Sequence, residues 1–247
     1  MNQPFLISIG LSKSASSLVW IAGPLSGVLV QPLMGALSDR SRNTWGRRRP
    51  YILGGAIGTI LCMIFLSWLE GLMRTLARFS HVNTDDHAFG TVIIFLAIFG
   101  VIVLNLSIQP LQMGLRTLVI ENCPKSQQEQ ASAWASRLTG VGNIVGYLAG
   151  ITDLSQLVPS LLFTQFQCLC LVASASLAIG VSMSCIAVTE RNATEALMPI
   201  SANSSLSSYL RQLLYTYRTM AWKIRKVCYV QFFSWMAWFP FLFYSTT

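Results

Sequence analysis

Long gaps between charges constrain this chain more than any other feature. There are 25 uncharged residues between Lys13 and Asp39, 20 between Arg49 and Glu70, 29 between Asp86 and Arg116, 36 between Asp153 and Glu190, and 21 after Lys226. A helix needs about 20 apolar residues to cross a hydrocarbon core roughly 30 Å thick. The gaps therefore predict spanning helices near 16–37, 51–69, 91–115, 161–188 and 227–247. Lipid leaves the backbone only a helix or a closed barrel, and no run alternates with period two. The fold class is all-α integral membrane. Composition agrees: 53% of the 247 residues are hydrophobic and 11% are charged, against roughly 25% charged in a soluble domain.

Residues 130–150 form a sixth, weaker span containing Arg137. An ionisable side chain at depth costs about 2.5–3.5 kcal/mol on insertion scales, so Arg137 is expected to face protein or water. The loops alternate as the positive-inside rule requires. Residues 38–50 carry Arg40, Arg42, Arg47, Arg48 and Arg49, and residues 189–226 carry Arg191, Arg211, Arg218, Lys223, Arg225 and Lys226. Both are read as internal, as is 116–129, while 70–90, 151–160 and the N-terminus are read as external. The net charge of +8 thus reports topology, and no nucleic-acid partner is expected. The six cysteines fall mostly inside apolar runs and act as small hydrophobes, so neither a metal site nor a disulfide framework is expected.

Within the long internal loop, a Ser-rich stretch around 201–208 reads as linker, and the sequons at Asn192 and Asn203 lie inside, where no glycan is expected. Beyond it, Leu210, Leu213, Leu214, Tyr217, Ala221 and Ile224 share one helical face while Arg211, Arg218 and Arg225 share another. That pattern predicts an amphipathic helix on the inner membrane surface.

Residues 35–50 read GALSDRSRNTWGRRRP. A polar turn ends one span, and three Arg precede Pro50 at the start of the next. Gly35, Asp39, Arg40, Gly46, Arg47, Arg48 and Arg49 resemble the loop between the second and third helices of the major facilitator superfamily. With Gly23-Pro24-Leu25-Ser26-Gly27 and Val30-Gln31-Pro32, the string is similar to the proton-coupled sucrose and α-glucoside transporters, of glycoside-pentoside-hexuronide type. Gln112 to Arg116, Gly140 to Asn143 with Gly146-Tyr147, and QFFSWMAWFPF from Gln231 agree, and fungal members are the nearer resemblance.

The resemblance implies an incomplete major facilitator fold, with about six spanning helices. In that register, residues 1–188 are the N-terminal half lacking most of its first helix. Residues 189–226 are the cytoplasmic central loop, and 227–247 are the truncated first helix of the C-terminal half. The missing C-terminal half would be required for full function.

Asn105, Gln109, Gln112 and Arg116 are spaced i, i+4, i+7 and i+11, which puts them within a stripe of about 60° on one helix. Such a stripe faces other helices or an aqueous cavity, and amides with a guanidinium offer the paired donors and acceptors that sugar hydroxyls need. The resemblance implies that Arg116 contacts substrate. Arg137 and Asn143 complete the candidate substrate-binding set, and the 35–50 loop is the candidate gate. Plant members carry an Asp at the position of Asn105, which cannot exchange a proton. Glu121 matches a family acidic position and is the candidate for proton coupling, although it points about 160° from the stripe.

The expected function is transport of sucrose or related α-glucosides by alternating access, with a disaccharide substrate and the lipid bilayer as partners. No cofactor is expected, and a proton is the candidate co-substrate. The plasma membrane is expected over vacuolar or other internal membranes. Two alternatives stay open: a non-transporting truncated fragment or partner of a full transporter, and a facilitative sugar carrier. No Ser/His/Asp, Cys/His or metal-spaced cluster argues for an enzyme.

Overall fold

The computed structural model describes residues 11, 19, 22–41, 45–79, 87–152, 154, 163–188, 211, 215 and 217–244. Among these, six long helices follow in order, with no strand: α1 (Ala22–Arg40), α2 (Arg49–Phe79), α3 (His87–Asn122), α4 (Gln128–Ile151), α5 (Gln165–Ala187) and α6 (Trp222–Tyr244). Of these, α2, α3 and α5 meet the length and apolarity needed to cross a membrane. The chain forms two compact units, Met1–Ala196 and Leu197–Thr247. The Ser-rich linker, both sequons and His81 lie outside the described residues.

Three predicted boundaries are corrected. The helix predicted to end at 69 continues to Phe79. Glu70 and Arg74 end the apolar run but not the helix, because they pair at i,i+4 with 2.6 Å between Nη2 and Oε1. The span expected from 161 starts at Gln165. There the Gln167 backbone N–H donates to Thr164 Oγ1 (3.3 Å), while the Thr164 N–H donates to Gln167 Oε1 (3.0 Å). This reciprocal capping box fixes the helix start. The predicted amphipathic helix is interrupted at Met220 and Ala221, so that Ile224 and Arg225 belong to α6. The Ala221 carbonyl accepts from the N–H of both Ile224 and Arg225 and so begins the new helix.

The first unit is organised around the antiparallel pair α2 and α3, with α1 against α3 and α5 against α2. Leu66, Leu69, Ile93, Ala97 and Val101 form the core at one end, and Ile52, Ala56, Leu111, Leu118 and Val181 form it at the other. Glycine permits this closeness. A Cβ on Gly55 would stand 2.9 Å from both the Leu111 amide nitrogen and the Ser107 carbonyl oxygen of α3. Without a hydrophobic drive inside lipid, such backbone approach is the main source of helix attraction.

Gly23 and Gly27 behave similarly in α1. A Cβ there would meet Asn105 Oδ1 at 3.2 Å and Gln109 Oε1 at 3.5 Å. Gly142, Gly146 and Gly150 repeat at four-residue spacing but have no such neighbour within 4 Å, and α4 has no buried residue. No helix of the described chain lies against that face, so the spacing of small residues has nothing to engage.

Candidate functional site

At the basic end of the α2–α3 pair, the turn before α2 is tied to the end of α3. Gly46 has φ 126°, a conformation that side chains rarely allow, and it turns the chain into three consecutive arginines. Glu121 Oε1 accepts from Arg47 Nη2 at 2.6 Å and from Arg48 Nη2 at 2.8 Å. The Arg48 side chain is 5% exposed and Glu121 is 33% exposed, so this charge-assisted pair is partly shielded from solvent. Arg48 also donates to Ser38 Oγ, which donates in turn to the Gly35 carbonyl at 3.0 Å. Arg49 donates to the Val188 carbonyl just past α5. One short turn thereby holds the ends of α1, α3 and α5. The backbone of Asp39 and Arg40 ends α1, and their side chains lie outside what is described.

A second polar group lies between α1 and α3. Gln109 is 6% exposed. Its Nε2 donates to Ser26 Oγ at 3.0 Å, and its Oε1 accepts from Gln31 Nε2 at 2.7 Å. Ser26 Oγ donates to the Gly23 carbonyl at 2.7 Å. Asn105, half-buried against Gly23, donates from Nδ2 to the Val101 carbonyl of its own helix at 2.8 Å. Both ends of the Gln109 amide are thus satisfied inside the protein, as a buried amide requires.

The stripe divides beyond this layer. Gln112 and Arg116 are exposed, and a Cβ at Gly35 would meet nothing within 4 Å. Pro32 in α1 and Pro110 in α3 follow directly after the Gln31–Gln109 bond. Arg137 and Asn143 are exposed on α4, apart from the α1–α3 group, and the Arg137 guanidinium sits 5.2 Å over the Trp134 ring. Glu121 stands with the arginines rather than with the stripe. Sequence reasoning missed Ser26 and Ser38 as members of these groups. For Ser26 a signal existed, because it lies three residues after Gly23 and beside Gly27. Ser38 stands beside Asp39 in the basic-loop string, but its partner depends on how the turn folds.

Residues 3–114 match the family described as MFS/sugar transport protein. The whole chain aligns at 35% identity with the general alpha-glucoside permease of Schizosaccharomyces pombe, covering 43% of that protein. It is 27% identical to sucrose transport protein SUT2 of Oryza sativa subsp. indica, over 98% of this chain and 50% of that one. It is 28% identical to the membrane-associated transporter protein of Homo sapiens, over 78% of this chain and 35% of that one. The chain therefore spans half or less of the length of these curated relatives. Fold and matches define an all-α integral membrane protein whose curated relatives are transporters rather than enzymes. More narrowly, residues 3–114 carry the pattern of the major facilitator sugar-transport family, and the whole chain is similar to the general alpha-glucoside permease.

Proposed function

We propose that this chain serves proton-coupled transport of sucrose or related α-glucosides across the plasma membrane, by alternating access. The 35% identity to the general alpha-glucoside permease across the whole chain carries this reading. Arg47 and Arg48 on Glu121 would hold the basic end closed and release it when the helical halves rock. Arg116 and Gln112, exposed beyond the Gln31–Gln109 contact, would hold sugar hydroxyls. Asn105 and Gln109 would brace that face of α3, and Arg137 and Asn143 on α4 would supply further sugar contacts. Full transport would need the second helical half that the longer relatives carry. Asn105 favours a second reading, facilitative transport, because its carboxamide cannot take up and release a proton.

The test is uptake of radiolabelled sucrose and maltose in a transport-deficient yeast. The chain would be expressed alone and joined to the C-terminal half of the Schizosaccharomyces pombe permease. Uptake by the joined form, stimulated by acid outside and abolished by Arg116→Ala, is expected. Uptake that ignores external pH selects the facilitative reading. A joined form that inserts correctly but moves neither sugar overturns transport and leaves a non-transporting membrane chain.

A further inference from the structure

From Ala196 to Thr247 the sequence contains no Asp or Glu. The same stretch carries five cations, Arg211, Arg218, Lys223, Arg225 and Lys226, all between positions 211 and 226. Like charges so close repel one another, and this unit has no carboxylate to relieve them. Four of the five side chains are exposed. Arg225 is half-buried, and its Nε is shielded from solvent without a hydrogen-bond partner. Two cations share one ring: Arg225 lies 5.6 Å and Lys226 5.4 Å from the centroid of Trp222. Tyr215, Tyr217 and Tyr229 are exposed in the same segment.

We propose that Arg211, Arg218, Lys223, Arg225 and Lys226 form a docking surface for the phosphate headgroups of acidic phospholipids. Charge complementarity demands an anion. Continuity with the span expected at 227–247 selects a lipid as its source, because that stretch carries no charged side chain. Where an apolar helix enters the bilayer, the cations immediately before it stand at headgroup level. Exposed Tyr and Trp rings prefer that same level. A topology signal would need only the number of cations, whereas this surface predicts selective binding that persists in the mature protein.

The experiment titrates the purified full chain in detergent with fluorescent phosphatidylserine or phosphatidylcholine, read by energy transfer from tryptophan. A cation near a membrane surface contributes about fivefold in affinity for acidic lipid. Phosphatidylserine is therefore expected to bind at least about fivefold tighter. The preference should collapse in roughly 0.5 M salt and survive millimolar inorganic phosphate. The triple variant Arg211→Gln, Arg218→Gln, Lys223→Gln should lose the preference, and Arg211→Lys with Arg218→Lys should keep it. Equal affinity for the two lipids overturns the proposal. So does displacement by inorganic phosphate, which would mark a site for free anions. So does a preference retained by a triple variant that still elutes as a single helical species. Should that variant fail to fold, the salt and phosphate arms on the unaltered chain decide alone. None of these readouts depends on which sugar is transported.

Discussion

Glu121 Oε1 lies 2.8 Å from Arg48 Nη2, joining the last turn of α3 to the turn that opens α2. The same oxygen receives Arg47 at 2.6 Å, so a single carboxylate anchors two guanidinium groups. Deleting it takes this carboxylate away from the shielded Arg48. Glu121→Ala should cost roughly 1–3 kcal/mol, below the ~3–5 kcal/mol of a fully buried pair because Glu121 is partly exposed. Thermal melting of the purified chain in detergent would check this. In a cycle with Arg48→Ala the two losses should be less than additive, and strict additivity would show that the pair does not act as a unit.

Neighbouring glycines should separate packing from composition. Gly55→Ala would push a methyl into the α3 backbone 2.9 Å away and should lower stability by about 1–3 kcal/mol. Gly54→Ala meets nothing within 4 Å and should lower it not at all. Equal melting shifts for the two variants would refute the close α2–α3 contact.

Two glycines of the basic loop should also behave differently. Gly46 has φ 126°, and an Ala there should cost on the order of 1–3 kcal/mol in backbone strain. Gly35→Ala lies in a helix with open space around it and should be tolerated. Melting midpoints that rank the other way would contradict the turn geometry.

Gln109 and Arg116 share a stripe but should fail differently. Gln109→Ala strips buried partners from Ser26 and Gln31 and should destabilise by about 1–3 kcal/mol. Arg116→Ala removes an exposed side chain and should leave melting unchanged while reducing uptake by the joined form. A large melting shift for Arg116→Ala would make its role structural.

Tyr217 offers a pH test. Its hydroxyl donates to the Tyr229 hydroxyl at 2.8 Å, which holds its pKa above the usual 10.0; partial burial and Tyr229 add to the rise, and nearby Arg225 opposes it. The folded value exceeds the unfolded one, so the bond's contribution is complete below the unfolded pKa and is lost as pH rises through the folded pKa. Ultraviolet titration should show one tyrosine ionising earlier in Tyr229→Phe than in the unaltered chain. Superimposable titrations would rule the bond out in solution.

The helices were legible because charge is so costly in lipid that its absence marks the spans. Their ends were less legible. Glu70 and Arg74 stop a count of uncharged residues, yet they sustain a helix that runs on to Phe79. Helical angles correctly put Asn105, Gln109, Gln112 and Arg116 on one stripe, but angles say nothing about what stands opposite. Here α1 covers Asn105 and Gln109 and leaves Gln112 and Arg116 open. The roles of Ser38 and the Val188 carbonyl were invisible, because long-range partners of a turn depend on the fold around it.

The contact at Gly55 has a mechanical consequence. With the α3 backbone 2.9 Å from where a Cβ would stand, sliding α2 along α3 would bring a side chain of α2 into the space that only Gly55 leaves open. The two helices are one strut. Relative motion within this unit is then cheapest at the looser seam, where α4 lies uncovered.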